Sequence, residues 1–242
     1  MSLSSPPNRL GTAALLLVLG LAGANLGRAA APVIVHGAPV EILYNVSIPG
    51  DAQFGYRIVA TGSPTDFAAT GLPPDATLDR ATGWINGSRN HPGTYDVAVR
   101  ATNADGTGTA IVRLAIHPTA TGVISSSGRF HAGQTFTFTV RYNAPVTVSG
   151  TPHLTLALGP IAAPEFKPAV YVSGSGSNEL VFEYAVADDD LAPDGVRLLP
   201  SAPAGGAICD ASGLAASPSL PVRHFVSGIT IATVDGVFPT RL

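Results

Sequence analysis

From Gly93 to Ile116 the chain alternates polar and apolar side chains, turns once, and alternates again. "GTYDVAVRATN" puts Tyr95, Val97, Val99 and Ala101 on one face and Asp96, Arg100 and Thr102 on the other. Successive side chains of an extended chain point to opposite faces, so this pattern buries one face and wets the other only as a β-strand. Asn103-Ala104-Asp105-Gly106 follows, and Asn, Asp and Gly tolerate the backbone angles of a tight turn. The return strand carries Ala110, Val112, Leu114 and Ile116 inward and Arg113 outward. A hairpin of this kind needs a second layer over its apolar face, and that need shapes everything around it.

The same grammar runs through the rest of the chain. "AQFGYRIVATG" reads as a strand, and "TDFAATGLPPDATLDRATGWINGS" as short strands broken by turns. "QTFTFTVRY" sets Phe136, Phe138, Val140 and Tyr142 against Thr135, Thr137, Thr139 and Arg141. "HLTLAL" sets Leu154, Leu156 and Leu158 on one face. "VYVSGSGSNELVFEYAV" predicts a hairpin with a loop at Ser173–Asn178 and with Leu180, Phe182, Tyr184 and Val186 inward; "HFVSGITIATV" predicts a last strand. No segment keeps a helical period over three turns. Abundant Gly (27) and Pro (21) supply the punctuation, and 45% hydrophobic residues suffice for a packed core. The expected fold is all-β: two tandem immunoglobulin-like sandwiches over 32–118 and 119–235. They are joined at "HPTATG" (117–122), where an exposed connector would be cut by a protease, with a short tail at 236–242. Tyr95, just after Pro92-Gly93, stands where such domains place a tyrosine corner.

Composition removes several functions. Net charge is −3 and no Lys/Arg cluster occurs, so no nucleic-acid footprint is present. A single cysteine, Cys209, allows no intrachain disulfide. Residues 1–29 have the order of a secretory leader: Arg9 near the start, the apolar block "AALLLVLGLA", then small residues. Cleavage is expected after Ala24 or Ala29. The apolar block is shorter than the ~20 residues that span a bilayer, and no second span follows it. The mature chain is therefore expected to be secreted or displayed on the cell surface.

"GLPPDATLDRATGWINGSRNHPGTYDVAVRATNADGTGTA" (71–110) closely resembles the bacterial "putative Ig" repeat, a relative of dystroglycan-type cadherin-like domains. The shared frame is Gly71-Leu72-Pro73, Leu78-Asp79, Thr82-Gly83, Ile85, Gly87, Gly93-Thr94-Tyr95 and Asn103-Ala104-Asp105-Gly106. "AGQTFTFTV", "PVTVSGTPHLTLALG", "YVSGSGSNELVFEYAVADDDLAPDG" and "GGAICDASG" resemble an Ig-like repeat found in tandem in large bacterial surface proteins. The terminal "VDGVFPT" is similar to the linker between copies there. These resemblances imply a structural or adhesive role, with surface polymers or proteins as partners, and attach calcium binding to the cadherin-like superfamily.

Three groups of residues have candidate chemistry. Asp96 and Asp105 shape a strand and a turn, since nothing around them supplies the cleft that a catalytic acid pair needs. "DDDLAPDG" offers Asp188, Asp190 and Asp194 as oxygen ligands for Ca2+, with Gly195 allowing a bend; the alternative is a solvated acidic turn. Trp84, the only tryptophan, should face outward because Ile85 faces the core. There it can stack on carbohydrate, with Tyr56 or Tyr171 as companion, anchor a partner, or cover the sandwich edge. The six histidines show no metal spacing, and "SGSGS" lacks a strand–turn–helix setting for a nucleophile.

Overall fold

The computed structural model describes residues 30–36, 40–42, 53–201, 203–217, 219–221 and 225–232. The leader expected over 1–29 and the tail expected over 236–242 lie outside them. No helix occurs among the described residues.

The first block holds β1 (Val40–Ile42), β2 (Gln53–Arg57), β3 (Asp66–Thr70), β4 (Thr77–Leu78), β5 (Trp84–Ser88), β6 (Gly93–Asn103) and β7 (Gly106–Ile116). One sheet runs β1-β7-β6-β3 and the other β2-β5-β4. Strands β6 and β7 pair over their whole length, from Gly93 opposite Ile116 to Asn103 opposite Gly106. Val97, Val99, Val112 and Leu114 from one sheet and Phe54 and Ile85 from the other bury into a single apolar cluster. That is the second layer the hairpin required.

Turn chemistry fixes the ends of this sandwich. Tyr95 Oη donates to the His91 carbonyl at 3.0 Å, the back-bond of a tyrosine corner. Asn103 Oδ1 accepts from the amides of Asp105 (2.9 Å) and Gly106 (3.1 Å). Its Nδ2 donates to the carbonyls of Ala30 (2.9 Å) and Gly62 (2.7 Å). Asn103, more than Asp105, therefore organises the turn, and it ties the start of the domain to the hairpin. At Gly108 the same segment comes so close that a Cβ would stand 2.0 Å from the Pro32 carbonyl oxygen, so only glycine fits.

The second block holds β8 (Ala120–Ser125), β9 (Gly128–Phe130), β10 (Thr135–Leu158), β11 (Glu165–Ser173), β12 (Ser177–Ala185), β13 (Arg197–Leu198), β14 (Ala204–Cys209), β15 (Phe225–Val226) and β16 (Ile229–Ile231). The two segments read as separate strands, 134–142 and 153–158, lie, all but Gln134, in one strand of 24 residues. Its first half pairs with β8 and β12, its second half with β11, β13 and β14. The last strand is split instead: β15 pairs with β13, and β16 runs parallel to β9. Phe136, Phe138, Leu154, Leu156, Leu180 and Phe182 are among the most buried residues of a second apolar cluster. Phe136 meets Phe138 edge-to-face, with ring centroids 5.9 Å apart.

The joint is not an exposed connector. Pro118, Thr119 and Ala120 are buried. His117 Nδ1 lies 2.6 Å from the Ala215 carbonyl, and the Ser217 amide donates to the Pro118 carbonyl at 2.7 Å. Asn143 spans the blocks: its Oδ1 accepts from the Thr119 amide and its Nδ2 donates to the Arg89 carbonyl, both at 2.8 Å. A broad-specificity protease is therefore expected to spare 117–122 and to nick first at the 159–164 loop, where Ile161 is 78% exposed. Mass mapping of the first fragments checks this; an early cut within 117–122 would contradict it.

Candidate functional site

The acidic loop folds in an unexpected way. Alternation along β12 buries Tyr184 and Val186, and the turn after it swings Asp190 back beneath Tyr184. The Asp190 side chain is fully buried. Its Oδ2 accepts from the Tyr184 hydroxyl (2.5 Å) and from the Ala187 amide (2.8 Å). Lys167 Nζ stands 3.2 Å from Oδ1, off the direction of a hydrogen bond, so that oxygen is met by charge attraction alone. Asp188 and Asp194 remain exposed. Among the described residues no group of three or more His, Cys, Asp or Glu side chains is placed to hold a metal ion. Of the expected Asp188–Asp190–Asp194 calcium set, Asp190 faces inward as an anchor for Tyr184 and the turn, while Asp188 and Asp194 are exposed.

Tyr184 and Lys167 beside this anchor, and Tyr142 farther along β10, titrate late. Burial, and next the hydrogen bond to Asp190, push the Tyr184 phenol up. Burial does the same to Tyr142. The Asp190 carboxylate holds the Lys167 ammonium above its ordinary value. In each case the folded value exceeds the unfolded one, so the contribution to stability is complete below the unfolded value and fades as pH rises beyond it. The urea midpoint is expected to fall between about pH 9 and pH 11, with these two phenols ionising only as the fold opens. Phenolate absorbance followed with and without urea checks this; ionisation of every tyrosine in the intact fold would contradict it.

Other acids serve local structure. Asp96 lies directly opposite Arg113 and pairs with it through two hydrogen bonds, at 2.7 and 3.0 Å, which hold its carboxyl below the usual range. Asp79 accepts from the Thr82 hydroxyl (2.6 Å) and from the amides of Ala81 and Thr82. Asp210 repeats the device with Ser212 and Leu214 in the second block. These are turn-forming carboxylates, and none stands in a cleft with a second acid.

Trp84 lies on the outer face of the β2-β5-β4 sheet, 42% exposed, while Ile85 is fully buried. The two aromatic companions considered for it are elsewhere. Tyr56 turns toward the first core, and Tyr171 packs against Phe182 in the second block and accepts from the Ser175 amide. The register sets Arg57 directly opposite Trp84 and Gly55 opposite Asn86. Gln53, Arg57, Thr77 and Asn86 are exposed on the same face as Trp84. The Arg57 Nε donates to the Thr82 carbonyl at 3.3 Å. Gly55, Arg57 and Asn86 escaped the sequence reading because nothing in one chain reveals which strand lies beside β5.

Two β-sandwiches, each with its own apolar cluster among the described residues, define the class of this protein: a tandem immunoglobulin-like module. Residues 29–117 match the model of the family described as "Putative Ig domain", which covers the first sandwich. No curated protein matches the sequence. Among solved structures, an immunoglobulin triplet of titin is 10% identical with a TM-score of 0.36, covering 84% of this chain and 65% of that one. Extracellular domains of Drosophila OTK are 12% identical with a TM-score of 0.32, covering 84% and 59%. A Bacteroides fragilis structure described as a "putative alpha-galactosidase/melibiase" is 25% identical with a TM-score of 0.32, covering 44% of this chain. This chain spans 21% of that protein's length. At such scores none of the three bears on function.

Proposed function

We propose that this chain is a non-catalytic adhesion or spacer module, exported by its 1–29 leader to the cell surface or the medium. The observation that supports this best is the joint: Asn143 bonds both blocks and Thr119 is buried, which suits a stiff element that positions loops and sheet faces for binding. Immunoglobulin-like modules are generally non-catalytic, and Asp66, Asp79, Asp96, Glu179, Asp190 and Asp210 are spent on turns and ion pairs. Calcium at the 188–194 loop is not part of the proposal, since Asp190 is already committed to Tyr184 and Lys167. Bead-immobilised full chain, offered envelope proteins and extracellular polysaccharides beside chromogenic glycosides and esters, tests the reading. Retention of a polymer or protein without product is expected; turnover of any chromogenic substrate would overturn it.

A further inference from the structure

We propose that the outer face of the β2-β5-β4 sheet binds an anionic polysaccharide, with Trp84 stacked on a sugar ring and Arg57 on its carboxylate or sulfate. The inference deepens the binding-module reading and rests on it.

Gly55 creates the seat. A Cβ there would stand 3.4 Å from Trp84 Cζ3 and 3.6 Å from Cε3, so the indole lies across bare backbone. One side of the ring system is thus backed by the strand, and the side chain remains 42% exposed. An aromatic surface held in this way is ready for stacking at little cost in side-chain freedom. Its surroundings are polar. Gln53, Arg57, Thr77 and Asn86 share the face, and Val59, two residues beyond Arg57, is an exposed aliphatic residue at its end. A protein partner would want a wider apolar centre. A sugar offers what this face can meet: a C–H surface for the indole and hydroxyls at its rim for planar amides.

Arg57 sets the charge of the ligand. Arg80, Arg113 and Arg141 each pair with a carboxylate, on Asp66, Asp96 and Glu179. Among the described residues Arg57 has no ion pair, and its Nε bond to Thr82 steadies the guanidinium. A guanidinium presents a fork that matches a carboxylate or sulfate through two parallel bonds. Beside it opens a hollow of about 340 Å³ with Arg57, Ser63 and Thr82 at its polar side and Val59, Pro64 and Phe67 at its apolar side, which gives a neighbouring sugar unit both hydrogen-bonding groups and a C–H surface. The chain as a whole carries −3, so general attraction does not draw a polyanion; a local site must.

Because Trp84 is the only tryptophan, its emission reports this face directly. The full chain is titrated at physiological ionic strength with polygalacturonate, dextran sulfate and neutral dextran. A saturable change with at least one anionic polymer and none with dextran is expected; which polymer acts distinguishes carboxylate from sulfate. Arg57→Gln should weaken binding about tenfold or more, as loss of a charge-assisted pair does, while Arg100→Gln on the other sheet leaves it unchanged. Trp84→Ala, followed by affinity electrophoresis, should abolish retardation. Should Trp84→Ala fail to fold, Arg57→Gln still decides, since among the described residues that exposed side chain makes a single bond, to the Thr82 carbonyl. No saturable change with either anionic polymer, equal binding of dextran, or equal effects of the two arginine changes would overturn the inference. Failure with these polymers but no turnover leaves the module reading standing; turnover sinks that reading instead.

Discussion

Asp190→Ala should lower stability by about 3–5 kcal/mol, although the residue lies in a run of surface acids. The change strands the Tyr184 hydroxyl and the Ala187 amide, both of which the carboxylate accepts from. The buried Tyr184 hydroxyl left without a partner costs about 1–3 kcal/mol, and the part-buried Ala187 amide adds a smaller share. Lys167 is 26% exposed and can recover water, so its share is small. Asp190→Asn keeps an acceptor but turns an amide toward an ammonium, and should cost roughly 2 kcal/mol. Asp188→Ala and Asp194→Ala, both at exposed positions, should change stability by less than about 0.5 kcal/mol. Urea unfolding of the four variants checks the order. If Asp190→Ala costs no more than Asp188→Ala, or if calcium raises the wild-type midpoint, the anchor reading fails.

The second large effect concerns the core. Phe138 is fully buried on β10 and packs edge-to-face on Phe136. Phe138→Ala removes a large apolar group from a close-packed site and should destabilise the second sandwich by about 3–5 kcal/mol. The first sandwich has its own apolar cluster, which no described residue beyond Ile116 joins. It should therefore keep its stability, apart from what it gains through the Asn143 bond to Arg89.

Alternation carried much of this structure in the sequence. Val97, Val99, Phe136, Phe138, Leu154, Leu156, Leu180 and Phe182 are all buried, because a period of two leaves a strand few other choices. The continuity of β10 was not legible, because the stretch between "QTFTFTVRY" and "HLTLAL" holds Pro145, Gly150 and Pro152, none of which favours a continuous strand. In the structure each proline falls where the register shifts, between Arg141 and Val146 and between Gly150 and His153, so its missing N–H interrupts no ladder bond. The acidic loop misled for a similar reason: the run of aspartates shows charge, but Lys167 and Tyr184 come to Asp190 only through the packing of β11 and β12. Trp84 faced outward as its neighbour Ile85 required. Its setting on Gly55 beside Arg57 depended on the β2–β5 register, which no local signal encodes.

Hydrogen exchange of backbone amides in the full chain, compared between wild type and Phe138→Ala, tests most directly whether two separately cored sandwiches make up this protein. Protection should collapse across β8 to β16 and persist across β2 to β7. A loss that spreads evenly through both regions would mean that the chain folds around one shared core.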